Sequence, residues 1–180
     1  MTIKNEIKEI GINARKASNL LSNITSEQKN LALKELGDNL KKYSNDLIKA
    51  NKKDIINAKK MKISPSIIDR LSLDTDRILA MVESLDGIIA LKDPINNIIS
   101  EWERPNGLLI QKISVPLGVL GIIYESRPNV AVDASAICLK SGNAVILRGG
   151  SDSFYSSHRL KDIINLSFLN SGLPKNTVQM

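Results

Sequence analysis

"GIIYESRPNVAVDASAICLKSGNAVILRGGSDS", residues 121–153, decides the fold. It opens in the β-branched run "LGVLGIIY" (Leu117 to Tyr124) and closes after a second such run, "NAVILR". Between them Val130, Ala134, Ile137 and Cys138 fall on one face of a helix that Pro128 opens and Gly142 stops. Beyond Gly149 and Gly150 a second helix is expected from about Ser153 to Asn170, with Phe154, Ile163, Ile164 and Phe168 inward and Gly172 at its end. The order strand, helix, strand, helix predicts an α/β fold with a parallel sheet and right-handed crossovers.

Ligands bind such sheets beyond the carboxyl ends of the strands, which singles out two loops. The first, "YESRPN", places Glu125, Ser126, Arg127 and Asn129 at one strand end, a set suited to orienting a polar, anionic substrate. In the second, Arg148 precedes Gly149, Gly150 and Ser151 at a helix start. Bare backbone N–H groups, a positive helix end and a guanidinium would meet there, as a nucleotide phosphate requires. The pattern is neither GxGxxG nor a P-loop. A tight turn beside a surface arginine, and a polar loop with Pro128 starting a helix, remain open as plain alternatives.

Working back toward the start, Ile3, Ile7, Ile10, Ala14, Ala17 and Leu21 advance by fours and threes, the mark of one apolar helical face. Thr25 and Gln28 form a capping-box signal for a long second helix that Leu33, Leu36, Leu40, Tyr43, Leu47 and Ala50 carry to about Lys60. Ser64 before Pro65 starts another, and Ile78 to Ile89 mark a further amphipathic segment that stops at Asp93 and Pro94. The period then changes: "GLLIQKISV" (Gly107 to Val115) reads as a strand, with Trp102 as packing at a junction.

Composition narrows the chemistry. The 180 residues are 42% hydrophobic and 24% charged, ordinary for a globular chain. The net charge of +6 comes from lysines interleaved with acids such as Glu27, Glu35 and Asp46, a solvated helix face rather than a nucleic-acid stripe. One tryptophan, three tyrosines and two phenylalanines leave few platforms for stacking bases. No apolar run is long enough for a bilayer, so no membrane partner and a cytoplasmic location are expected. One cysteine and one histidine fall short of a zinc ligand set, and no metal site is expected. Cys138 lies on an apolar face near a helix C-terminus, where the dipole disfavours a thiolate; it reads as core. His158, without an evident Asp or Ser partner, reads as structural or surface.

The motifs "IDRLSLDTDRI" (Ile68 to Ile78), "DPINN" (Asp93 to Asn97), "RPNGLLIQKISVPLGVLGIIYESRPNV" (Arg104 to Val130), "DASAICLKSGNAVILRGG" (Asp133 to Gly150) and "GLPKNTVQ" (Gly172 to Gln179) together resemble the gamma-glutamyl phosphate reductase family of the aldehyde dehydrogenase superfamily. The resemblance implies an aldehyde-dehydrogenase-like α/β fold. It implies N-terminal helices over residues 1–94, a strand-rich arm over 95–116 similar to the superfamily's oligomerisation element, and over 117–180 the first βαβα part of a Rossmann-type sheet. It further implies NADPH-dependent reduction of gamma-glutamyl phosphate to glutamate-5-semialdehyde and phosphate, a step of proline synthesis. Arg148, Gly149, Gly150 and Ser151 match the loop near the cofactor's adenosine ribose and its phosphate. Residues 125–129 match the loop that supplies an oxyanion amide. The family's nucleophilic cysteine lies beyond the segment matching "GLPKNTVQ", so Cys138 is not its counterpart. The expectation is an N-terminal portion without the catalytic domain and with no catalytic residue of its own, inactive alone and a homo-oligomer when complete, with the pathway's glutamate kinase as a partner. The alternative is a non-catalytic nucleotide-binding or assembly fragment.

Overall fold

The change of period at Pro94 marks the passage from helices to strands in a computed structural model, which describes residues 2–180. Five helices come first: α1 (Ile3–Leu21), α2 (Ser26–Lys42), α3 (Ser44–Lys60), α4 (Pro65–Leu71) and α5 (Thr75–Ala90). An antiparallel hairpin follows, β1 (Ile98–Glu103) with β2 (Leu109–Ile113). Then come β3 (Val119–Ile123), α6 (Val130–Lys140), β4 (Ala144–Arg148), a single 3₁₀ turn (Ser151–Ser153), α7 (Phe154–Asn170) and β5 (Val178–Gln179). The last three strands form a parallel sheet in the order β3-β4-β5, with Val119 opposite Ala144 and Val145 opposite Val178. The α/β class and the parallel crossover expected from residues 121–153 are present.

Helix α2 is the hub. Leu33, Leu36 and Leu40 are fully buried among Ile78 and Leu85 of α5, Leu139 of α6 and Phe168 of α7. Its start is capped as the Thr25/Gln28 pair requires: the Thr25 hydroxyl accepts the Gln28 N–H at 3.2 Å. The end of α6 turns through Gly142, whose φ of +70° suits a residue without a Cβ; any Cβ there would also stand 2.9 Å from Pro116.

Four details depart from the sequence reading. The single helix expected to run from Thr25 to Lys60 is two, broken at Tyr43 (φ −100°, ψ 17°). The apolar spacing survives the break because Leu40 before it and Leu47 after it enter the same core. Strand β1 went unread, and Trp102 lies on it opposite Ile110, exposed rather than packed at a junction. Ile137 and Phe154, expected inward, are 57% and 51% exposed: α6 and α7 each bury a narrower face than their apolar residues span. Ile3 and Ile7 are also exposed, since α1 packs on the sheet only through its later turns at Ala14, Ala17 and Leu21.

Two polar clusters join the layers. At the root of the hairpin, Lys29 Nζ donates to Asp93 Oδ2 at 2.9 Å, while Lys140 Nζ donates to Asn30 Oδ1 at 2.7 Å and to the Ile89 carbonyl at 3.0 Å. Burial pushes the Asp93 carboxyl up, but hydrogen bonds from Lys29 and the Ile95 N–H outweigh it and hold the group below its usual range. The second cluster lies on α3. Asp54, 1% exposed, accepts the N–H groups of Tyr155 (3.0 Å) and Ser156 (2.8 Å) and the Ser156 hydroxyl (2.6 Å). Those N–H groups belong to the first turn of α7 and have no acceptor within their own helix. One turn earlier, Asn51 donates to the Leu71 carbonyl (2.8 Å) and to Ser156 Oγ (3.0 Å) and accepts the Leu73 N–H (2.8 Å).

Asp54→Ala leaves the first-turn N–H groups of α7 unpaired, that of Ser156 fully buried, and about 3 kcal/mol of stability is expected to go with them. Denaturant unfolding of the variant checks this; a loss below about 1 kcal/mol would show that α7 does not depend on the cap.

Candidate functional site

Both loops singled out by the sequence meet at the carboxyl end of the parallel sheet. Pairing of β3 with β4 runs through to Ile123 and Arg148, and the Tyr124 N–H then donates to the Arg148 carbonyl at 3.0 Å. Tyr124 turns inward: its hydroxyl donates to Ser157 Oγ at 3.3 Å, and Ser157 donates to Ser153 Oγ at 3.2 Å. Burial pushes the Tyr124 phenol up. This chain of hydroxyls passes under Gly149, where an added Cβ would stand 3.1 Å from the Tyr124 oxygen and 3.3 Å from Ser157 Oγ. Gly149 therefore lets the strand end lie directly on the Tyr124 and Ser157 side chains. A Cβ on Gly150 would collide with the Asp152 carboxylate.

A hydrogen bond from the Ser126 hydroxyl to Asp152 Oδ2 ties the first loop to the second. Ser126 has φ +54°, a left-handed conformation that costs energy for a non-glycine residue and that this contact helps to hold. The other oxygen, Asp152 Oδ1, is buried with no hydrogen-bond partner among the described residues.

The loops open into different clefts. Arg148, Gly149, Gly150 and Ser151 line one of about 230 Å³, together with Phe154, His158 and Met180. The Phe154 and His158 rings lie 4.1 Å apart, tilted by 36°, and His158 Nδ1 lies 2.8 Å from the Phe154 carbonyl, so His158 forms part of the cleft wall. Arg127 and Asn129 instead line a cleft of about 390 Å³ shared with α4, α5 and α6. Glu125 is exposed, its backbone facing Gly150.

One expectation is corrected. The positive end of α7 is not open to a phosphate, because the buried Asp54 carboxylate already takes its Tyr155 and Ser156 N–H groups. The groups that the smaller cleft itself presents are the Arg148 guanidinium, the Ser151 hydroxyl and the backbone of the two glycines. Sequence reasoning missed Asp54 and Asn51. Their signal was their place on α3: with Leu47 and Ala58 they advance by four, three and four, polar residues on a core face.

Cys138 is where the sequence put it, 2% exposed on α6, and burial pushes its thiol up to about 11. No group of three or more His, Cys, Asp or Glu side chains among the described residues is arranged to hold a metal, and none of the described helices is long and apolar enough to cross a membrane.

No family model matches the chain. Among curated relatives, the gamma-glutamyl phosphate reductase of Bartonella quintana is 46% identical over 97% of this chain and 42% of its own length. The crystal structure of gamma-glutamyl phosphate reductase from Thermotoga maritima superposes with a TM-score of 0.95 at 37% identity, covering 97% of this chain and 42% of that one. An acetylating aldehyde dehydrogenase from Geobacillus thermoglucosidasius shares the fold, with a TM-score of 0.70 at 14% identity over 98% of this chain and 37% of that one. The chain thus spans about two fifths of the length of the reductases it matches.

With its thiol protonated and enclosed, Cys138 is expected to resist iodoacetamide at pH 8 in the folded protein and to react promptly once unfolded, read as mass gain over time. The raised folded-state value also has a sign in pH: the unfolded thiol ionises first, so stability is intact below about pH 9 and falls between there and about 11. That fall should be smaller in Cys138→Ala; rapid alkylation of the folded protein at pH 8 would contradict the core assignment.

Proposed function

We propose, for a chain with the sequence of the gamma-glutamyl phosphate reductase family and the fold of the aldehyde dehydrogenases, that it carries the cofactor loop and part of the substrate site of an NADPH-dependent reductase. The reaction is reduction of gamma-glutamyl phosphate to glutamate-5-semialdehyde with release of phosphate, in the cytoplasm and toward proline. The observation that supports this most is the 46% match to a named reductase along nearly the whole chain, which includes both strand-end loops.

The residues of the smaller cleft suit the cofactor's adenosine end. Arg148 offers a fixed positive charge to a ribose phosphate, Ser151 a hydroxyl to the same group, and Gly149 and Gly150 admit the ligand close to the backbone. Phe154 and His158 line the same cleft. When bound, NADPH supplies the hydride. Within this chain, the loop of Glu125, Ser126, Arg127 and Asn129 orients the acyl phosphate and offers a guanidinium and an amide to the charge that develops on its oxygens. The attacking thiolate is not Cys138, whose proton is held by burial.

Homo-oligomers form through the β1–β2 hairpin, whose Ile98, Ile99, Leu109 and Ile113 are exposed, and the glutamate kinase that makes the acyl phosphate is a partner. A second reading, a non-catalytic nucleotide-binding or assembly module, is favoured by one observation: the only cysteine of the chain is buried.

The test uses the natural polypeptide that contains this sequence. It is expected to reduce gamma-glutamyl phosphate with NADPH, and Arg148→Ala is expected to weaken NADPH binding roughly tenfold to a hundredfold, as loss of a charge-assisted contact does, with binding followed by nicotinamide fluorescence. Unchanged affinity would remove Arg148 from the cofactor site. Nucleotide binding without any reduction of the acyl phosphate would favour the second reading.

A further inference from the structure

The larger cleft contains the segment "DRLSLDTDR", Asp69 to Arg77, to which the cofactor loop gives no role. Much of its charge is spent internally. Asp74 caps α5 by accepting the Arg77 N–H at 2.8 Å. The Arg77 guanidinium closes the turn between α4 and α5, donating to Asp69 Oδ1 at 2.7 Å, to the Ser72 carbonyl at 2.9 Å and to the Asp69 carbonyl. Across the cleft, Asp133 in the first turn of α6 accepts Asn129 Nδ2 at 3.1 Å and Ser84 Oγ at 3.3 Å. With these groups held, two guanidinium groups on the cleft wall, Arg70 of α4 and Arg127 of the β3–α6 loop, make no hydrogen bond or ion pair among the described residues. Leu73, Ala80 and Met81 contribute an apolar surface to the same cavity.

A cavity of about 390 Å³ with two free cations, an apolar stretch, and lone pairs left on Asp69 Oδ2 and on Asp133, whose present donors are neutral, suits a particular chemical class. That class is a short aliphatic chain with an anion at each end and an ammonium beside one of them. A neutral acyl group would leave the guanidinium charges without a counter-ion. A simple dicarboxylate would bring no cation to Asp133, whose two hydrogen bonds come from neutral donors.

Resting on the reductase reading above, we propose that this cleft selects the α-amino acid end of the substrate, with Arg70 pairing the α-carboxylate and Asp133 the α-ammonium. Arg127, following β3 at the strand end where the two loops meet, faces the phosphorylated end. Arg70 is a specificity-determining residue: it pairs with a group that does not react, so its contribution is the same in the bound substrate and in the transition state.

The experiment runs the reaction backwards on the natural polypeptide that contains this chain, with NADP and phosphate, comparing glutamate-5-semialdehyde with butanal, which lacks both α groups. Arg70→Gln is expected to raise KM for glutamate-5-semialdehyde roughly tenfold to a hundredfold, with kcat changed less than about threefold and kcat/KM for butanal unchanged. Arg70→Lys, which keeps the charge but loses the bidentate fork, should recover part of the KM. An Arg70→Gln enzyme with unaltered KM, or with equal losses on both aldehydes, overturns the proposal and leaves the reductase reading standing. A wild-type protein that oxidises neither aldehyde overturns both.

Discussion

The contact on which most of this structure depends is the Asp54 carboxylate lodged at the start of α7. It joins the helical layer to the βαβα unit by giving two backbone N–H groups and the Ser156 hydroxyl their acceptor. A buried carboxylate of this kind costs desolvation, which three hydrogen bonds from fixed donors offset. Asn51, one turn away on the same face, uses its amide in both directions to fix the end of α4 and the approach to α5. One helix therefore positions a wall of each cleft. Through Asp54 it holds α7, which lies beside the loop after β4, and through Asn51 it holds the segment that carries Arg70 and Arg77.

The same contact divides the electrostatics. A helix start next to a glycine loop ordinarily attracts an anion, and here that charge is already met from inside the protein. The loop after β4 is left with a guanidinium and a hydroxyl among the residues that line its cleft. Between the loops, the Ser126–Asp152 hydrogen bond couples the ends of β3 and β4. Ser126 makes it from a left-handed conformation that is uncommon for a non-glycine residue. At the other end of the sheet, the Lys29–Asp93 pair and the Lys140 hydrogen bonds root the hairpin, which leaves the body without further support and presents its apolar residues outward.

What the sequence disclosed follows from which forces are local. The parallel unit was legible because β-branched runs, Pro128 and Gly142 act within a few residues, and both strand-end loops followed from it by a rule of topology. Burial of Cys138 was legible for the same reason: its neighbours on the helix face are apolar. The break at Tyr43 was not, since the spacing from Leu36 to Ala50 reads as one helix whether or not the axis turns. Strand β1 stayed hidden because "IISEWE" alternates on a hairpin with both faces exposed and has no buried face to pattern it. Asp54 and Asn51 sit in the lysine-rich stretch "ANKKDIINAKK" and look like solvated charge. Their partners are 102 and 105 residues away for Ser156, a separation that no local pattern encodes.

The most direct test of the account is a crystal structure of the natural polypeptide with NADPH bound. The account predicts the adenosine ribose phosphate within hydrogen-bond reach of Arg148 and Ser151, in the cleft also lined by Phe154 and His158, with the Tyr155 and Ser156 N–H groups still held by Asp54. A phosphate seated on those N–H groups with Asp54 displaced, or an adenosine bound away from the Arg148 loop, would contradict it.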